Sequence, residues 1–442
     1  MAIQLSEHFT YRKLLRFTVP SIIMMVFTSI YGVVDGIFVS NFVGKTSFAA
    51  LNLIMPVCML LGAFGFMVGT GGSALVSKLL GEGKREEARR TFSMLIYLSA
   101  AGGVLLTVVG ILLVRPISAA LGAEGQMLED CVLYGRTLLL GGTAFILQNE
   151  FQSFLIVAEK PQFGLIITVA AGVTNMVLDA LFVGLFRWGL AGAAMATVLS
   201  QVVGGVIPLV YFIRNRRGVL ALGRTRFDGR ALLQTCTNGS SEMMTNLSLS
   251  LVNILYNFQL MRFAGENGVA AYGVIMYVNF IFISAFLGYS IGVGPVISFH
   301  FGARHRDELK NLLRKSLTLL SIGAATMVTL GITLARPLSA VFVSYDAELF
   351  ALTCRGLSLY SISFLLSGFN IFASAFFTAL NDGLTSAAIS FLRTLLFQVA
   401  AVLLLPLFLG LDGIWLAVVT AEGLALLVSG GLLVSMRKKY GY

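Results

Sequence analysis

Two aspartates stand where an apolar sequence has least reason to hold them. Asp35 closes Tyr31-Gly-Val-Val-Asp35 and Asp179 closes Asn175-Met-Val-Leu-Asp179, each with a polar residue four positions earlier. On a helix that spacing puts phenol and carboxylate, or amide and carboxylate, on one face. Thr197 adds a hydroxyl near the start of the next apolar run. A carboxylate at mid-membrane costs about 2.5 to 3.5 kcal/mol on insertion scales, so it is normally paired, water-exposed or functional. Two carboxylates, an amide and a hydroxyl converging in low dielectric, with no obvious Arg or Lys partner, would form a reversible cation site. Mutual repulsion favours holding a proton near neutral pH, or the oxygens ligate a hard cation such as Na⁺. The competing reading is a satisfied cluster of helix-packing hydrogen bonds.

A second set of residues suits a substrate cavity. Glu150 stands among Gln148, Asn149 and Gln152, and Glu242 precedes Asn246 by four residues where the seventh apolar run opens, with Tyr256 further along. An acid on the wall of an apolar chamber favours cationic aromatic compounds, helped by adaptable Phe and Met surfaces. Read blandly, Glu150 is a solvated acid facing a vestibule, and Glu242 sits close to the membrane edge. The C-terminal half is expected to offer little further acid at mid-membrane. Pro20 removes a hydrogen bond from the first helix and predicts a bend there, a hinge near a titrating acid.

Enzyme chemistry finds no support. Gly44-Lys45-Thr46 ends like a phosphate loop, but Val39 stands where the leading glycine is needed. Neither HExxH nor GxSxG occurs, and His8, His300 and His305 make no convincing zinc set. Cys58, Cys131, Cys236 and Cys354 lack ligand spacing and read as free thiols. The chain is therefore expected to be no enzyme and to carry no cofactor beyond a coupling ion, H⁺ or Na⁺.

The elements that must hold these residues are membrane helices. Of 442 residues, 57% are hydrophobic and 12% charged, with mean hydropathy +0.88, against about 25% charged in soluble domains. Apolar runs of about 20 residues, the length that crosses a bilayer, predict twelve spans, six in each half. The net charge of +10 reports topology instead of nucleic-acid binding. With the N-terminus in the cytoplasm, 23 Lys and Arg fall in cytoplasmic segments and 7 opposite, Arg393 lying inside a helix. That asymmetry follows the positive-inside rule and places both termini in the cytoplasm.

The halves repeat. An offset of 221 residues lays Arg115, Pro116, Ser118 and Ala119 on Arg336, Pro337, Ser339 and Ala340, and Gly71, Gly81 and Glu87 on Gly292, Gly302 and Glu308. Copies with an even number of spans point the same way, so two like bundles should face each other about an axis along the membrane normal. The organisation is then residues 1–213 as an N-terminal six-helix bundle, 214–231 as a basic cytoplasmic linker and 232–442 as a C-terminal six-helix bundle. The fold class is all-α integral membrane, with a central cavity that opens to one side at a time. The acids break the repeat: Asp35 faces Tyr256, Asp179 faces Ala400, Glu150 faces Ile371 and Glu242 faces Ser21.

The segments Tyr31-Gly-Val-Val-Asp35-Gly-Ile-Phe-Val-Ser, Gly69-Thr-Gly-Gly-Ser-Ala through Gly81-Glu-Gly-Lys, and Asn175-Met-Val-Leu-Asp179 followed by Trp188-Gly-Leu-Ala-Gly-Ala-Ala-Met-Ala-Thr197 resemble the bacterial branch of the multidrug and toxic compound extrusion (MATE) transporters. The resemblance covers nearly the whole chain. It implies two six-helix bundles exchanging toxic organic cations for H⁺ or Na⁺, with Asp35, Asn175, Asp179 and Thr197 at the cation site, Tyr31 at its edge and Pro20 at the first-helix bend. The expected function is thus a secondary antiporter for small, cationic, amphipathic organic compounds. The alternative is a flippase for lipid-linked or amphiphilic substrates. Expected partners are a small organic substrate and membrane lipid, with no nucleic acid, for a monomer in a bacterial plasma membrane.

Overall fold

Long apolar runs with few Gly-Pro interruptions can satisfy their backbone in lipid only as helices. The computed structural model describes residues 3–43, 45–344 and 346–442, and their side chains except at positions 33, 35–42, 45, 46, 48, 49, 52 and 56. Six spans form the first half: α1 (Tyr11–Phe42), α2 (Lys45–Gly81), α3 (Arg85–Ala120), α4 (Gly125–Leu140 with Gly142–Val157), α5 (Pro161–Leu185) and α6 (Gly189–Arg214). The second half holds α7 and α8, the two arms of Gly229–Gly302, then α9 (Arg306–Thr333), α10 (Ala347–Ser361 with Phe364–Ala379), α11 (Gly383–Leu409) and α12 (Leu411–Ser435).

Among the described residues, nine helices are long and apolar enough to cross a membrane, and two bent pairs raise the number to eleven. Gly229–Gly302 is itself two spans, reversed at Gly265 with φ 61° and ψ −150°, which supplies the twelfth. That backbone conformation is open to glycine and strained for other residues. The bent pairs, α4 at 54° and α10 at 47°, break at residues 141 and 362, equivalent positions under the 221-residue offset. The repeat is thus written into the helix geometry as well as the residue types.

Lipid supplies no hydrophobic force between spans, so close packing at small residues holds them together. A Cβ built on Gly81 would lie 2.0 Å from the Phe299 carbonyl oxygen, and one on Gly302 would lie 2.1 Å from that of Lys78. Gly71 and Gly239 make similar approaches, to Thr235 and Met67. These four glycines, of which Gly81 and Gly302 are repeat equivalents, clamp α2 of one bundle to α7 and α8 of the other at the basic end. At the opposite end Gly32 and Gly273 meet nothing within 4 Å.

Helix α1 belongs to both bundles. Its basic end, with Phe17 and the preceding Leu5 and Phe9, is buried in the C-terminal core beside Phe372 and Phe376. Thr18, Ser21 and Ile22 lie under Gly288 and Gly292 of α8. Pro20 sits inside this contact, and α1 runs through it as one continuous helix. The helix is unbroken at Pro20, whose neighbours on both sides touch α8. Between α6 and α7 the chain is a loop whose carbonyls at Gly218 and Val219 accept from Arg89 of α3. Asp228 then caps α7 by accepting from the amides of Arg230 and Ala231.

Candidate functional site

In the N-terminal bundle, α1 and α5 meet where α5 has no side chain. A Cβ on Gly172 would stand 2.5 Å from Phe27 Cε1 and 2.9 Å from Tyr31 Cδ1, so this glycine lets the aromatic pair lie flat on α5. One and two turns later come Asn175 and Asp179, both buried. Among the described residues, neither amide atom of Asn175 has a hydrogen-bond partner. Buried amides are rarely left so. Directly after Asp179 the helix widens into a π segment, Ala180–Leu185, a distortion frequent at functional positions. Thr197, on neighbouring α6, is half-buried and donates to the Ala193 carbonyl at 3.1 Å. The structure therefore brings Tyr31, Asn175 and Asp179 to one helix interface and sets Thr197 on the adjoining helix. The Asp35 side chain lies outside the described residues.

The C-terminal bundle holds a cavity of about 240 Å³ between α7, α8, α10, α11 and α12, with α1 and α2 along one side. Glu242, Asn246 and Tyr256 all lie on its wall. Glu242 also borders a narrower pocket with Thr70 and Ser73 of α2 and Ser153 of α4, so it stands where the bundles meet. Helix α7 starts at Gly229, so Glu242 lies more than three turns inside the helix. Gln148 and Glu150 do not line this cavity. Helix α4 packs between α2 and α6, with the Glu150 Cα against Gly69 and the Gln148 side chain against Gly204, and both side chains are buried in the N-terminal bundle.

A further expectation fails. The C-terminal bundle does contain a deeply buried acid, Glu422 of α12, 2% exposed. It accepts from Arg393 Nε at 2.9 and 3.0 Å and from Nη2 at 2.8 Å. Asn370 of α10 adds a donor at 2.7 Å and is itself held by the Ser429 hydroxyl at 2.7 Å. Arg393 lies in the second π segment, Leu392–Leu396, and both members of the pair line the cavity. Each had a signal in the sequence, an isolated charge inside an apolar run, but the residues are 29 positions apart on separate helices and nothing local pairs them. Glu422 also breaks the repeat, facing Gln201.

The sequence model of the MatE family matches residues 20–181 and 243–403, one segment in each bundle. The chain belongs to the MatE family. Among curated MatE relatives, the multidrug export protein MepA of Staphylococcus saprophyticus is 23% identical over 420 residues, covering 95% of this chain and 92% of its own. MepA of Staphylococcus haemolyticus is 21% identical, covering 98% and 95%. A solved structure described as the outward-facing conformation of a multidrug resistance MATE family transporter superposes with a TM-score of 0.92 at 25% identity, over 98% of both chains. A transporter of the same superfamily from Pyrococcus furiosus, described as having a binding pocket of reversed polarity, superposes at 0.89 with 23% identity, over 98% and 97%. The all-α, two-bundle membrane architecture expected from the repeat is the fold of this family.

Proposed function

We propose that this MatE chain exports small organic compounds across the plasma membrane of a bacterium, by antiport against H⁺ or Na⁺, with its basic face and both termini in the cytoplasm. Multidrug export by the MepA relatives supports the transport class, and the surplus of Lys and Arg on one face supports the orientation. The observation that carries the antiport reading is the buried Asn175 amide, without a hydrogen-bond partner among the described residues, one turn from buried Asp179 and on the helix that meets Tyr31. Oxygen ligands in that setting suit Na⁺ or a carboxylate-held proton, and the other copy of the repeat has Leu396 and Ala400 at those positions. With the basic face in the cytoplasm, the glycine clamp at that end supports an outward-facing reading of this state. Export then requires α2 to part from α7 and α8 while the opposite ends converge, a rocking motion of one bundle on the other.

The test is dye efflux from proteoliposomes under an imposed pH or sodium gradient, followed by substrate-induced proton release with and without sodium. Asp35→Asn and Asp179→Asn should each abolish gradient-driven efflux while leaving dye binding intact. Unchanged transport in both variants rejects the assigned site. Movement of a lipid-linked sugar without any drug efflux would favour the flippase alternative.

A further inference from the structure

Two helix pairs that are copies of each other end differently at the basic face. In the C-terminal bundle α11 starts hard against α7. A Cβ on Gly383 would stand 2.2 Å from the Thr237 carbonyl oxygen, and Asn238 donates to Asn381 at 2.8 Å, so the gap is closed. The 221-residue offset carries Thr237, Asn381 and Gly383 onto Arg16, Lys160 and Gln162. Between those residues, where α5 starts beside α1, lies a cavity of about 450 Å³. Packing the duplicated fold does not require this space, because the other copy fills it with backbone.

The wall of the cavity has a polar and an apolar part. On the polar part the Arg16 and Lys160 side chains have no hydrogen-bond or ion-pair partner among the described residues. The acid beside them, Glu159, accepts from the Leu5 amide at 2.9 Å through one oxygen and keeps the other. Two cations against one acid leave the cavity net positive. The further charges that Glu159 faces, Arg85 and Glu7, are opposite in sign, and Glu7 is held by Lys13 at 2.7 Å. The apolar part runs from Ile3 past Phe163 to Ile166, which is 63% exposed in the second turn of the α5 span. The cavity therefore joins free positive charge at a helix end to an apolar surface that opens sideways into lipid.

Basic pockets between membrane helices at the cytoplasmic side suit anionic lipid headgroups, and a guanidinium and an ammonium together match a phosphate. A headgroup hydroxyl can donate to the spare oxygen of Glu159, and an acyl chain can leave along Phe163 and Ile166. We propose that this cavity binds one anionic phospholipid of the phosphatidylglycerol kind from the leaflet at the basic face, its phosphate on Arg16 and Lys160. The bound headgroup bridges α1 and α5, the two helices that bring Tyr31 to Gly172 and the turn before Asn175. A soluble phosphate ester shares the cations but leaves the apolar exit unused. Binding here does not rest on the export reading.

The test uses full-length protein in phosphatidylcholine nanodiscs holding a minor fraction of phosphatidylglycerol, with the lipids retained on the protein counted by native mass spectrometry after release into detergent. Phosphatidylglycerol should be retained at one molecule per chain in preference to phosphatidylcholine. Arg16→Gln with Lys160→Gln should lower that retention at least about tenfold, whereas Arg216→Gln with Arg217→Gln, which removes as much charge from the basic loop, should change it less than about twofold. Gln162→Lys adds a third cation to the cavity rim and should raise retention roughly threefold, a gain that misfolding cannot imitate. Equal losses from the two double variants would show diffuse attraction to the whole basic face and overturn the site. So would no gain in Gln162→Lys, or phosphatidylcholine retained as well as phosphatidylglycerol. Displacement of the lipid by an equimolar amount of glycerol 3-phosphate would make a soluble phosphate the occupant and overturn the proposal too, while retention against it supports the lipid.

Discussion

Gly302→Ala should force the basic end of the transporter open. The new Cβ would stand 2.1 Å from the Lys78 carbonyl oxygen and 2.9 Å from its carbon, and backbone on both sides leaves no flexible side chain to give way. Overpacking of this kind costs about 1 to 3 kcal/mol. The penalty applies only while α2 and α8 are clamped, whereas the gain in helix propensity of Ala over Gly, about 1 kcal/mol, is common to both states and cancels. At 1.4 kcal/mol per factor of ten, the ratio of open to closed should rise roughly five- to hundredfold. Ala74 is 3% exposed and borders the pocket between the bundles, so Ala74→Cys in a chain with its four native cysteines replaced reports the opening. In inside-out vesicles an impermeant maleimide should label that cysteine faster by the same factor. Gly102→Ala on α3, where a Cβ meets nothing within 4 Å, serves as control. Equal labelling rates in the Gly302 and Gly102 variants would show that the glycine clamp does not set the conformational equilibrium.

Four other outcomes follow from the same geometry. Gly172→Ala drives a Cβ into Phe27 and Tyr31, whose rings can turn aside. Ion-dependent efflux should fall roughly tenfold, the lower end for disturbing the support of a cation site, with little change in melting temperature. Glu308 fastens the N-terminal segment by accepting from the Phe9 amide at 3.0 Å, with Asn311 and His8 alongside. Glu308→Gln should cost about 1 kcal/mol of protection at the Phe9 amide near neutral pH, as read by hydrogen exchange. On the face opposite the basic loops, Arg355 pairs with Asp412 in the open, and Arg355→Ala should shift stability by under about 1 kcal/mol. Trp415→Ala, fully buried in the C-terminal core, should cost about 3 to 5 kcal/mol by thermal unfolding.

The amino-acid sequence by itself determined the solvent, the number of spans and the duplicated plan, because hydropathy over about 20 residues and a 221-residue repeat depend on composition and order alone. It also singled out Asn175, Asp179 and Tyr31, since spacing along one helix sets which side chains share a face. Only the tertiary structure decided what those faces meet. Local periodicity places the turn between the seventh and eighth spans but does not record the bends in α4 and α10 or the passage of α1 from one core to the other, and these set which helices touch. Hence Gln148 and Glu150 vanish into the N-terminal bundle, Glu242 borders the cavity, and Arg393 and Glu422, each an isolated charge in its own span, become a bonded pair. A buried charge is visible in a sequence as a cost, whereas the partner that offsets it belongs to another helix and appears only when the helices are packed.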